Sequence, residues 1–471
     1  MNDPALPCDV LEEGVVKRVL ATALRTGGDF AEIFAEDRRS SAARLDDGKV
    51  EELTSGRDRG AGVRVVVGDT TGFAHTADLS EAGLRAAAEA AAGVARGGDG
   101  DVRTVGLGGK DAHPLRAQVL PHHVDKGRKV ELLARADEAA RSAGGAVKQV
   151  TAGYGDSRRQ TLVANSDGLF TTDDVVRTRF GVSTVAVGDT GMQTGYQAVG
   201  RTMGFELFDN VDVEAVATHA ARQALTKLAA RPAPTGVVPV VIGAGRGAVL
   251  FHEACGHGFE ADAIEKQASV YHGKAGETVA SPHVTLVDDA TMSGEWGAYG
   301  VDDEGHPARR TVLIEEGVLT DYMWDLLRAR KAGRPTSGNG RRQSYAHLPM
   351  VRMTNTYLLA GQEHPAELVR QTPYGVYVAH LGGGQVNTAT GDFVFGMTEA
   401  YLIEGGTLTE PLRNANLIGN GPEVLRNIDA VASDFSMAEG GGTCGKWGQS
   451  VPVGMGQPTL RITGVTVGGT A

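Results

Sequence analysis

The stretch at 237–264, VVPVVIGAGRGAVLFHEACGHGFEADAI, decides how the second half of this chain is read. It opens with an unbroken apolar segment, passes through Gly243, Gly245 and Gly247, and continues as an apolar run whose polar residues recur at helical spacing. That order predicts a strand, a tight turn and a helix. The glycines do not form a nucleotide fingerprint, because GxGxG lacks the third glycine placed for helix packing and no GxxxxGK[ST] occurs. The turn is a plain connection, and the chemistry lies in the helix behind it.

That helix carries His252, Glu253 and His257, where a zinc-peptidase HExxH helix would have its second histidine at the position of Gly256. At about 100° per residue, a histidine at i+4 lies about 40° from His252, whereas one at i+5 lies about 140° away. A regular helix cannot aim both imidazoles at one ion. A π-bulge or a local unwinding between them is therefore predicted, eased by Gly256 and Gly258. Glu253 is the residue type that takes a proton from water at a metal. Glu260 and Asp262 either orient the imidazoles or are solvated helix charges, the second reading fitting at least one of them.

A catalytic zinc site has three protein ligands and an open position, so two histidines leave one ligand to find. The candidates are Glu260, Asp262, a distant histidine and Cys444. Only three cysteines occur, Cys8, Cys255 and Cys444, an odd and scattered set that does not make a disulfide framework and fits a reducing compartment. Cys255 suits an apolar helix face and Cys8 carries no signal. Cys444 sits in a glycine turn beside Gly445 and Lys446, and positive charge favours a thiolate. A cysteine nucleophile with a histidine base would use the same residues but leave Glu253 idle, and ranks below the metal reading.

Upstream, RPAPTG at 231–236 marks a boundary near residue 232. The expected division is an N-terminal α/β region at 1–232, with a further break near 98–116 where glycines and charges interrupt the pattern, and a C-terminal catalytic domain at 233–471. Helical periodicity alternates with strand-like segments in the first region, with a turn at Ser166, Asp167 and Gly168. The second is β-rich around the motif helix. The fold class is α+β.

Composition narrows the function. The chain has 471 residues, enough for two or three domains, with 66 glycines, 46 basic residues against 58 acidic ones and a net charge of -12. Such a balance argues against a nucleic-acid surface. The start lacks the features of a signal peptide and no long apolar run occurs, so a soluble cytoplasmic protein without membrane contact is expected.

HEACGHGFEAD at 252–262, GNGRRQSYAHLPMVRMTNTYLL at 338–359, GGGQVNTATGDFVF at 382–395 and CGKWGQSVPVGMGQPTLRITGVTVGGTA at 444–471 together resemble the TldD branch of the TldD/PmbA metalloprotease family. The resemblance implies that His252 and His257 are the histidine ligands of an HExxxH motif, Glu253 the general base and Cys444 the ligand completing a zinc site, one ion per catalytic subunit. It also implies a heterodimer with a homologous TldE/PmbA-like subunit, a homodimer being the alternative, and cleavage of unfolded peptides held largely through their backbones. Cys255 departs from the aliphatic residue more usual there and adds a thiol near the metal.

The mechanism expected is attack of a zinc-activated water on a peptide carbonyl, with Glu253 moving the proton. Tyr345 and His347 are candidates to stabilise the oxyanion. Gly382, Gly383, Gly384 and Gln385 either let an extended peptide add as a strand or form a tight hairpin turn. The alternative function is a non-catalytic peptide-binding or regulatory module with a structural metal.

Overall fold

The structure, a computed structural model, describes residues 11–95, 106–108, 111–113 and 117–469. Cys8 and most of the interval 98–116 lie outside the described residues. Among those described, no helix is long and apolar enough to cross a membrane.

The architecture is mixed α/β. The N-terminal half is built on long hairpins. β1 (Phe30–Asp46) and β2 (Lys49–Val67) pair along their whole length. They are joined through Asp47 and Gly48, whose φ values of 48° and 77° suit the twist of a two-residue turn. β3 (Thr70–Thr76) extends this edge, while β5 (Val147–Asn165) joins β1 to β6 (Phe170–Gly188) and β7 (Gly191–Arg201). The turn expected at Ser166, Asp167 and Gly168 connects β5 to β6: Gly168 has φ 95°, and the Asn165 side chain accepts from the Asp167 amide at 3.0 Å. Asp111–His113, inside the interval expected to be a break, is a short strand, β4, parallel to β6.

Two helix pairs cover one face of this sheet. α1 (Glu13–Ala23) and α2 (Glu81–Val94) bury Val16, Leu20, Leu84 and Ala88 against Ile33 and Val63. α3 (Lys126–Ser142) and α4 (Val213–Leu228) do the same further along, with Leu133 and Ala217 against Val182 and Tyr154. Apolar residues at helical spacing meet alternate residues of the strands, so burial drives both elements to one interface.

The C-terminal half has its own core. Strands Gly236–Ile242, Tyr374–Val386, Asp392–Glu404, Ala415–Asn420 and Leu460–Gly469 close into a ring, because Tyr374–Val386 pairs with both Gly236–Ile242 and Asp392–Glu404. Arg231–Pro232 pairs with Thr407–Arg413 in this sheet, so residue 232 itself belongs with the C-terminal strands. A second sheet runs through Leu286–Asp289, Asn355–Leu358 and Gln449–Gln457, and carries the hairpin strand Gly442–Lys446.

The two halves are joined by buried charge. Arg64 of β2 donates to Glu32 of β1 at 2.7 Å and to Glu304 at 2.9 Å, and Arg342 donates to the other oxygen of Glu32. Arg159 of β5 bridges Glu36 and Asp303 at 2.9 and 2.7 Å. Such pairs are worth little over an apolar contact, but breaking one partner strands the other in low dielectric.

Candidate metal centre

The motif helix is short. It runs Val249–Ala254, breaks at Cys255 (φ -138°, ψ -36°), tightens into a 3-10 turn at Gly256–Phe259 and resumes as Ala261–Glu265. This is the distortion the i+5 spacing predicts, realised as an unwinding and not as a π-bulge. Its reason differs from the one expected. Neither Gly256 nor Gly258 has a positive φ; a Cβ on Gly256 would run into the Met353 sulfur, and one on Gly258 would lie 2.8 Å from the Tyr271 ring. The glycines allow close packing under the turn.

The break turns both imidazoles to one side. The ring centroids of His252 and His257 are 5.0 Å apart at 81° to each other. Cys444 Sγ lies 3.2 Å from His252 Nε2 and 3.3 Å from His257 Nε2, and the three donor atoms all fall within 4.8 Å of one another. Glu253 Oε2 stands 3.9 Å from His257 Nε2, with its side chain 23% exposed. Burial alone pushes the Cys444 thiol up, but His252 and His257 outweigh it and bring it down to about 4, so the sulfur is a thiolate.

Strand pairing delivers that thiolate. Cys444 sits opposite Val451 in the hairpin Gly442–Lys446 with Gln449–Gln457, whose turn holds Trp447 and Gly448 at φ 48° and 75°. The fully buried Arg352 donates to the Cys444 carbonyl and clamps the strand.

Glu260 and Asp262 are not solvated charges: each is 1% exposed. Glu260 Oε2 is 2.9 Å from His257 Nδ1, and Lys446 Nζ donates to Glu260 at 2.9 Å and to Asp262 at 2.7 Å. Burial would raise the Glu260 carboxyl, but Lys446 and His257 hold it down to about 2. The Glu260 and Cys444 side chains oppose burial at His257 and hold its imidazole well above its usual value. His252 Nδ1, by contrast, is buried with no hydrogen-bond partner among the described residues. Lys446 was legible only as a charge beside Cys444; its role in neutralising two buried carboxylates has no local signal.

Other expected residues go elsewhere. Cys255 Sγ donates to the Phe251 carbonyl at 3.1 Å and burial pushes its thiol up, so it is an inert core group. The Tyr345 hydroxyl donates to Asp58 at 3.2 Å and its amide to Glu36 at 2.8 Å, which ties it to the N-terminal sheet. His347 Nδ1 pairs with Ser344 Oγ at 2.8 Å. No hydrogen bond among the described residues joins either to the cluster. Gly382, Gly383, Gly384 and Gln385 do not form a hairpin turn: they lie within the strand Tyr374–Val386, and the turn follows at residues 388–390. The ladder steps from Leu381↔Met397 to Gly384↔Phe395, so Gly382 and Gly383 form a bulge.

A second group of donors, His219, His380 and Glu399, also converges. Here the Gln223 amide nitrogen already lies 3.1 Å from His219 Nε2, 3.3 Å from His380 Nδ1 and 3.1 Å from Glu399. Arg246 Nη1 is 3.1 Å from His380 Nδ1, and burial together with Arg246 lowers His380 to about 3. A neutral histidine accepting from a guanidinium belongs to a hydrogen-bond network, and the adjacent positive charge opposes a cation.

Comparison with known proteins bears on this geometry. Residues 31–95, 120–228 and 235–469 match the three models of the PmbA/TldA metallopeptidase: domain 1, the central domain and the C-terminal domain. A metalloprotease TldD homolog of Haemophilus influenzae is 42% identical over 94% of this chain and 93% of its own length. A metalloprotease of Methanothermobacter thermautotrophicus is 38% identical over 94% of this chain and 96% of its own. Among solved structures, TldE of Thermococcus kodakarensis superposes with a TM-score of 0.77 at 22% identity, covering 97% of this chain and 100% of that one. A Thermotoga maritima protein described as a candidate modulator of a DNA gyrase gives 0.80 at 21%, with 97% and 100% covered. At such identities the structural likeness speaks for the fold alone.

Proposed function

Taking as premise that this chain belongs to the PmbA/TldD metallopeptidase family, we propose that it is a zinc-dependent peptidase acting on extended or unfolded peptides. His252, His257 and Cys444 hold the metal, and Glu253 handles the proton. The observation that carries this reading is the donor set: two imidazole nitrogens and one thiolate, drawn together, with a carboxylate beside them. A tetrahedral zinc site sets nitrogen and sulfur ligands about 3.6 Å apart, and the 3.2 and 3.3 Å found here lie within a few tenths of an ångström of that. Structural zinc sites are closed by four protein ligands. Only three donors converge here among the described residues, which favours a catalytic over a structural metal.

Zinc, when bound, supplies the Lewis acidity that polarises a peptide carbonyl and lowers the pKa of water. Glu253 accepts the proton that the attacking water gives up and passes it to the amine nitrogen as the C–N bond breaks. Glu260 fixes the His257 ring through Nδ1, leaving Nε2 for the metal, and Lys446 keeps Glu260 ionised. The peptide is held as an added strand. Tyr374–Val386 pairs with Gly236–Ile242 only at Val376, Tyr377 and Val378, so among the described residues its edge beyond that point is open where Gly382 and Gly383 lie. A TldE/PmbA-like subunit is the proposed partner, and a reducing cytoplasm the setting that keeps Cys444 a free thiolate.

The test is peptide cleavage followed by mass spectrometry, for the chain alone and with a TldE-like partner, in the parent and in Glu253→Gln. The variant keeps its zinc and cuts about 10²–10⁴-fold more slowly. A variant that binds zinc and cuts as fast as the parent overturns the mechanism.

A further inference from the structure

A cavity of about 500 Å³ opens between β6, β7 and α4 of the N-terminal half and the strand Tyr374–Val386 of the C-terminal half. His252, Glu253, His257 and Cys444 are not in its wall, but two elements lead from it to the candidate metal centre. Val249, one helical turn before Glu253, lines it, and so does Gly441, just before the strand that carries Cys444. Gly382 and Gly383 form part of its wall.

The charge of this cleft is one-sided. Arg179, Lys227 and Arg246 line it and, among the described residues, no carboxylate does, in a chain whose net charge is -12. The Lys227 ammonium makes no hydrogen bond or ion pair among the described residues, although the residue is partly buried. Burial lowers its ammonium and only the field of Glu399 opposes this, so the charged form lacks a close counterion. Arg246 is pinned through Nη1 to His380, and its buried Nη2 forms an ion pair with Glu439 at 3.5 Å but closes no hydrogen bond. An ammonium without a close counterion, beside a guanidinium whose carboxylate partner closes no hydrogen bond, is stabilised by an anion that supplies the missing acceptors. Val249, Leu381 and Met455 line the same cavity, so the anion it suits is attached to an apolar body.

We infer that this cleft binds a carboxylate of the peptide substrate, Arg246 and Lys227 receiving the anion while the neighbouring residues of the peptide lie along Gly382 and Gly383. The inference rests on the peptidase reading and adds a preference to it: backbone pairing ignores side chains, whereas a cationic pocket at one end of the strand does not. The carboxylate is either the peptide's own C-terminus or an Asp or Glu side chain.

The experiment is binding of fluorescein-labelled decapeptides to the full chain carrying Glu253→Gln, read by anisotropy, with one sequence in free-acid and C-terminally amidated forms. The free acid binds about tenfold more tightly than the amide, and Lys227→Met combined with Arg246→Gln removes the difference. An amidated peptide that regains the affinity when a glutamate is placed near its C-terminus identifies a side-chain carboxylate as the source. Equal binding of acid, amide and glutamate forms overturns the inference, as does a double variant that still favours the acid. Cleavage by the parent chain is read separately: acid preference in binding without any cleavage leaves the carboxylate site standing and sinks the peptidase reading.

Discussion

The Cys444 sulfur stands 3.2 Å from His252 Nε2 across 192 residues of sequence. This contact joins the motif helix to a hairpin of another sheet, so the candidate metal centre is assembled only once the C-terminal half has folded. Cys444→Ser is expected to leave the fold intact and to lose bound zinc, measured by elemental analysis after zinc loading and dialysis. Retention of one zinc per chain in Cys444→Ser together with His252→Ala would place the metal elsewhere.

The Glu260 carboxylate orients His257 and is balanced by Lys446. Glu260→Gln keeps the shape and removes the charge. Its zinc affinity is expected to fall by about 10–100-fold, as read by competition with a chelator. Lys446→Met should weaken zinc in the same direction, because Glu260 and Asp262 then share a buried site without their cation.

Gly256 faces the Met353 sulfur too closely for a Cβ. Gly256→Ala should destabilise the chain by about 1–3 kcal/mol in thermal melts. In a Met353→Ala background the same change should cost less, since the atom it meets is gone. Equal losses in both backgrounds would show that conformation, not packing, requires the glycine.

Arg64 and Glu304, 2% and 0% exposed, form one of the ion pairs that join the two halves. Arg64→Met leaves Glu304 without its buried cation and Glu32 with Arg342 alone, and is expected to cost about 3–5 kcal/mol in denaturant unfolding.

The same network sets an acid limit. Burial would push the Glu32 carboxyl up, but Arg64 and Arg342 reverse this and hold it below its ordinary 4.5. A carboxyl lowered in the folded state contributes stability that is present above pH 4.5 and disappears as pH falls through its own lower value. Stability measured from neutral pH downward should therefore drop below that point, and Glu32→Gln should flatten the drop.

What the sequence determined by itself was local. Asp47 with Gly48 and Ser166-Asp167-Gly168 form turns because their conformational preferences act within a few residues. The break between His252 and His257 was legible for the same reason: helical angle depends only on spacing, and the structure unwinds the chain at Cys255. Spacing left the third ligand open among several residues, and the resemblance to a family pointed to Cys444. The tertiary structure decided the rest. It buried both Glu260 and Asp262, which sequence pattern leaves open between orienting the imidazoles and lying as solvated charges, by bringing Lys446 onto them from a hairpin nearly two hundred residues away. It drew Tyr345 to Asp58 in the other half. It gathered Arg179, Lys227 and Arg246 into one cleft from elements that share no local pattern. Burial, and the pairing of charges that burial demands, depends on which surfaces meet, and that is set by the packing of whole sheets.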